Sequence, residues 1–175
     1  GSQTRRVVGG LADGEVPMSH TVTMRTFTSA EQLRAAVGED LGSSDWLQIT
    51  QERGNTFADA TGDHQWIHVD VERAKKESPF GGPIAHGYLS LSLIPVLNWQ
   101  IYTVENVKLG INYGSNKVRF INPVKVGAHV RLHTTLASVD EVSGGALQVI
   151  ATNTLEIENE AKPALIAETI SRVVF

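Results

Sequence analysis

The stretch Ile84-Ala85-His86-Gly87-Tyr88-Leu89-Ser90-Leu91-Ser92-Leu93-Ile94-Pro95-Val96-Leu97-Asn98-Trp99 constrains the fold more than any other part of the chain. Its apolar residues fall on every side of a helical wheel, so a helix here has to be buried, with Pro95 bending it or loosening its last turns. The length of the run favours helix over strand. Beyond it the pattern changes to period two over residues 107–113, 117–121, 129–139, 147–158 and 164–175. Val130, Leu132 and Leu136 share one face of their segment, as do Leu147, Val149, Ala151, Leu155 and Ile157 of theirs. Gly144-Gly145 and the run Asn159-Glu160-Ala161-Lys162-Pro163 supply turns, so the C-terminal half reads as an antiparallel meander. A sheet with one apolar face and a wholly apolar helix solve each other's burial when the sheet wraps the helix. The class is therefore α+β.

With 175 residues, 41% hydrophobic and 19% charged, the chain suits one well-cored domain rather than two. A net charge of −4 offers no basic field for nucleic acid or anionic lipid, so neither partner is expected. The absence of cysteine excludes disulfides, thiolate catalysis and Cys-based zinc sites. No signal peptide and no apolar run of bilayer-spanning length is evident, and the expected location is cytoplasmic. Gly1-Ser2 resembles a cleavage scar and Met24 could be a natural start. Residues 1–23 are thus taken as a native extension or vector-derived segment, dispensable for chemistry, and 24–175 as the single domain.

Ahead of the apolar run, Ser29 and Glu31 open a helix that stops at Gly38, and residues 44–50 read as a short strand or extended entry. Thr50 is a candidate N-cap for a helix over Gln51 to Thr61, and Gly62 suits its left-handed C-cap. A second short helix is predicted over Val71 to Glu77. The prolines and glycines of residues 78–83 make an irregular loop. Just past Gly62, Asp63 and His68 lie five residues apart on what reads as one short, stiff loop. A carboxylate and an imidazole so placed can hold and activate one water molecule. Spacing alone leaves a second reading open, in which Asp63 caps the turn and His68 is a packed residue.

The run Phe57…Gly62-Asp63-His64-Gln65-Trp66-Ile67-His68, with Ala74 beyond it, resembles the signature of the MaoC-like dehydratases and (R)-specific enoyl-CoA hydratases, in the branch with nodulation-protein-N-like and mycobacterial 3-hydroxyacyl-thioester dehydratases. Gln65 stands where that pattern has Asn, and Trp66 where it has Pro. Arg119-Phe120, Pro123-Val124 and Gly127 match a second family run. The resemblance implies a hotdog fold, an antiparallel sheet wrapped around a long central helix, and a lyase of fatty acid metabolism. The reaction implied is reversible hydration of a trans-2-enoyl thioester to the (R)-3-hydroxyacyl thioester.

On that basis Asp63 and His68 are the expected catalytic pair. The backbone N–H of Gly87, at the start of the central helix, is the expected oxyanion donor, although Gly87 could equally relieve crowding where helix meets sheet. Gln65, Tyr88, Asn112, Lys117 and Arg119 are candidate substrate-binding residues. Lys117 and Arg119 could meet the phosphates of coenzyme A, or form a solvated strand face. The substrate would be an acyl-CoA or acyl-carrier-protein thioester, with no separate cofactor. Asp63, His64 and His68 match no established ligand spacing, so no metal is expected, and His86 reads as a packed helix-entry residue. A homodimer is expected because Leu147 to Ile157 would leave a sheet edge open in a monomer. A hotdog thioesterase and a non-enzymatic acyl-CoA-binding module are the alternatives.

Overall fold

A computed structural model describes the backbone of residues 2–7 and 20–175, and side chains from residue 24 onward. Among the described residues no helix is long and apolar enough to cross a membrane. Strands β1 (Ser2–Val7) and β2 (His20–Phe27) lead into α1 (Ala30–Ala35), whose N-cap Ser29 accepts from the Gln32 N–H. The short strands β3 (Asp40–Ser43) and β4 (Leu47–Gln48) follow. Then comes α2 (Gln51–Thr61), capped by Thr50 as expected and closed by Gly62 at φ +85°. A single helical turn, α3 (Trp66–Val69), precedes α4 (Val71–Glu77).

The apolar run forms two helices rather than one. α5 (Gly87–Ser92) and α6 (Ile94–Ile101) meet at Leu93, and Pro95 occupies the first turn of α6. A proline there lacks only an N–H that has no helical partner anyway, so it opens a helix instead of bending the end of one. β5 (Tyr102–Val104) joins β2 in parallel to complete a three-stranded sheet of order β1-β2-β5.

The larger sheet is built from β6 (Leu109–Phe120), β7 (His129–Glu141), β8 (Leu147–Ile157) and β9 (Leu165–Val174) together with β3 and β4. Its order is β3-β7-β8-β9-β6 with β4 also on β7, and all its pairs are antiparallel. Along β8 burial alternates residue by residue from Leu147 to Ile157, and this face packs on Leu89, Leu93, Leu97 and Ile101 of the helices. The sheet wraps the helix pair, as the patterning predicts.

Two expectations change. The strand Leu147–Ile157 is no edge, because β8 lies between β7 and β9, and among the described residues the long open edge is β6, exposed along nearly all its length. The helices are covered on one side only: Tyr88 is 71% and Trp99 67% exposed. The open side of α6, with β5, β6 and β9, encloses a groove of about 620 Å³. A helical wheel that is apolar all round records burial by everything that meets it, including surfaces one chain does not supply.

Within the core one row is polar. The Thr134 hydroxyl lies 2.8 Å from the Asn153 side-chain oxygen and 2.8 Å from the Asn98 amide, and Asn153 donates to Thr169 at 2.8 Å. A hydroxyl has one proton, so one of its two amide neighbours must turn its NH2 toward it. The NH2 of Asn153 is engaged by Thr169, which assigns that role to Asn98. The row ties α6 to three strands.

Candidate active site

The site begins where α2 ends. Its left-handed cap at Gly62 turns the chain so that Asp63 Oδ1 accepts the Gln65 N–H at 3.3 Å, while Asp63 itself stays exposed. The turn-capping role of Asp63 is therefore real, but it uses one carboxylate oxygen. Among the described residues the other oxygen has no hydrogen bond. His68 sits on the single turn α3 and not on a loop, with its N–H donated to the Gln65 carbonyl at 3.0 Å. α2 holds this turn from outside, since Gln51 Nε2 donates to the His68 carbonyl at 2.7 Å.

The segment leading into α5 runs beside α3. Ile84 N–H donates to the Ile67 carbonyl at 3.1 Å, and His68 Nδ1 lies 2.8 Å from the Ile84 carbonyl. A carbonyl can only accept, so Nδ1 carries a proton and the neutral ring keeps its lone pair on Nε2. His68 is 9% exposed, and it lines a pocket of about 270 Å³ with Ala85, Gly87, Ser90, Phe120 and Val124.

Gly87 is the first residue of α5, where backbone N–H groups lack helical partners. It also answers a steric demand, because a Cβ there would come within 3.1 Å of the Phe120 ring. Both readings of this glycine describe the same position.

His86 is the residue the sequence undervalues. It is 3% exposed, stacks on His68 at 3.9 Å between ring centroids, and its Nε2 donates to the Asp63 carbonyl at 3.0 Å. Phe57 packs against the same ring at 4.9 Å. One donor atom each from Asp63, His68 and His86 lies within 4.8 Å of the others, which is the donor count of a metal site. Each imidazole, however, already gives one nitrogen to a backbone carbonyl, and the remaining nitrogen of His86 is enclosed. His64 points elsewhere: it pairs with the Asp59 carboxylate at 2.9 Å, which raises its pKa above the ordinary histidine value.

The other sequence-derived candidates do not gather around this pair. Gln65 adjoins it through its backbone. Tyr88 faces outward beside Phe120, at 6.2 Å between centroids. Asn112 lines the larger groove, which does not include His68. Lys117 and Arg119 lie exposed on β6, and the Arg119 guanidinium donates to the neighbouring Val118 carbonyl at 2.9 Å.

Comparison with known proteins shows the family to which the chain belongs. The 3-hydroxyacyl-thioester dehydratase Z of Mycobacterium tuberculosis is 56% identical over 151 residues, spanning 86% of this chain and 99% of that protein. Nodulation protein N of Rhizobium meliloti is 45% identical over 148 residues, spanning 84% of this chain and 92% of that one. In fold, the (R)-hydratase of A. caviae superimposes with a TM-score of 0.62 at 23% identity, covering 77% of this chain and 94% of that one. Residues 32–159 match the MaoC like domain, and with these relatives the match shows that the chain belongs to the MaoC-like dehydratase family.

Proposed function

We propose that this hydratase/dehydratase catalyses the reversible addition of water to a trans-2-enoyl thioester, giving the (R)-3-hydroxyacyl thioester, with Asp63 and His68 as the acid/base pair. The observation that carries this reading is the fixed tautomer of His68: the Ile84 carbonyl holds Nδ1–H and leaves Nε2 as a base on the pocket wall. Water lies between that nitrogen and the free oxygen of Asp63. As its oxygen attacks the β-carbon, one proton passes to His68 Nε2. The imidazolium, held by the Ile84 carbonyl and the nearby carboxylate, returns a proton to the α-carbon. The sum is OH on the β-carbon and H on the α-carbon, with no cofactor consumed. Negative charge on the thioester oxygen is met by the Gly87 N–H at the start of α5. The same reading takes residues 24–175 as the domain that carries the chemistry.

Crotonyl-CoA tests it directly. Enoyl-thioester absorbance should fall without release of free thiol. Thiol release without hydroxyacyl product would instead identify a thioesterase, since hydrolysis aims water at the carbonyl carbon.

The thioester carrier, coenzyme A or acyl carrier protein, is met at the surface, where Lys117 and Arg119 are the nearest sequence-derived cations on β6 to the Phe120 wall of the pocket. The working form is a homodimer. The support is the exposed edge of β6 together with the uncovered Tyr88 and Trp99. Sedimentation at micromolar concentration should show no stable monomer, and a monomer with full activity would remove this part of the proposal.

A further inference from the structure

His86 contacts both members of the acid/base pair, and in different ways. Its Nε2–H holds the Asp63 backbone carbonyl at 3.0 Å, and its face lies on the His68 ring at 3.9 Å with 25° between planes. The ring has little room to turn, because Phe57 packs against it at 4.9 Å and the residue is almost wholly buried. That placement has a cost in stability: Nδ1 is buried with no hydrogen-bond partner. A phenylalanine or leucine would fill this space with no unpaired nitrogen. What the imidazole adds over an apolar side chain is the one hydrogen bond to Asp63.

Rigid placement matters here because the two groups that share a water come from different elements. Asp63 lies in the turn after α2 and His68 on α3, while His86 enters from the far side of the α4 loop. We propose that His86 is a positioning residue: it fixes the Asp63 peptide relative to the His68 ring, and so sets the gap in which the attacking water is held. It touches neither water nor thioester. The inference rests on the acid/base reading given above.

The test compares two substitutions. His86→Phe keeps a flat ring against His68 and removes the donor, and His86→Gln keeps an N–H donor of similar reach and removes the stack. For His86→Phe, kcat on crotonyl-CoA should fall by ~10- to 10²-fold, the scale of small misplacements of reacting groups, with KM changed little. His86→Gln should recover most of that loss. If the phenyl ring does not fold, His86→Leu serves in its place against the same glutamine variant.

A merely structural residue would not show the following coupling. In an Asp63→Asn background, where the carboxylate being positioned is gone, His86→Phe should cost no more than about twofold. The same loss in both backgrounds would overturn the proposal, as would a wild-type kcat in His86→Phe or a fall in rate matched by a fall in folded fraction. Failure of the parent chemistry is separate: it would appear as a wild-type protein that does not hydrate the enoyl thioester. Independently of turnover, 15N-labelled imidazoles should report His86 as the Nε2–H tautomer, and an Nδ1–H form would remove the bond on which the inference stands.

Discussion

Asp63→Asn and His68→Gln should each leave the fold intact and slow hydration of crotonyl-CoA by at least ~10²-fold, the usual scale for removing a positioned acid or base. The fold should survive for local reasons. Asn retains a side-chain oxygen for the Gln65 N–H, and Gln carries a donor that can serve the Ile84 carbonyl. What each loses is specific. An amide in place of Asp63 carries no charge to balance an imidazolium, and an amide in place of His68 has no titrating lone pair. The double variant should lose less than the product of the two, because groups that handle one water act as a unit. Initial rates with circular dichroism on the same preparations decide the matter, and a near wild-type rate in either single variant would remove the assignment.

The second large effect is stereochemical and all-or-none. A side-chain donor atom of Asp63 lies within 4.8 Å of one of His68, and Gly87 lines the same pocket as His68. A bound enoyl chain therefore meets water and proton donor from one face, and addition should be syn. In D2O the deuterium at the α-carbon should lie on the same side as the new hydroxyl. On the proposed reaction the product should be the (R) enantiomer. Chiral separation of the hydroxyacyl product decides the hand and the α,β proton coupling of the deuterated product decides syn against anti, and an (S) product would contradict the assignment of the pair.

Much of this was legible because its signals are local. The capping residues Thr50 and Gly62 bound α2 at the expected residues, α4 spans Val71–Glu77 as its pattern predicts, and the alternation of β7, β8 and β9 gives their extents within a few residues. Strand order is not local. Alternation assigns an inner face to residues 147–157 without saying that β8 is central, and it split β6 in two because its bulges interrupt the period. Alternation is equally silent on whether the polar β6 residues Asn112, Lys117 and Arg119 face a ligand or the solvent.

The break at Leu93 escapes the sequence because Pro95 reads as a bend or a loosening of the last turns of one helix, whereas its fixed φ suits the first turn of a new one. The single turn α3 gave no periodic signal over its four residues, so His68 read as a loop residue. His86 is the instructive case. Its neighbours on the site are 18 and 23 residues away in sequence, and a buried histidine next to a glycine carries no local mark of what it touches. Only the return of the chain past α3 and α4 brings it against both.

An exposed strand of 12 residues is ordinarily a template on which sheets stack into filaments. Unlimited growth would require β6 of one molecule to find a comparable strand at the opposite margin of the next. Among the described residues that margin offers β3, four residues long with a register shift between Asp40 and Gly42, and the two-residue β4. β6 itself is twisted by shifts at Asn112/Gly114 and Ser115/Lys117, so it is a poor match for a flat fibre. In the proposed homodimer β6 would meet another β6, and two such edges about a two-fold axis would use each other up. The asymmetry between the two margins of the sheet thus acts as a chain terminator, allowing one long open edge without a route to polymerisation.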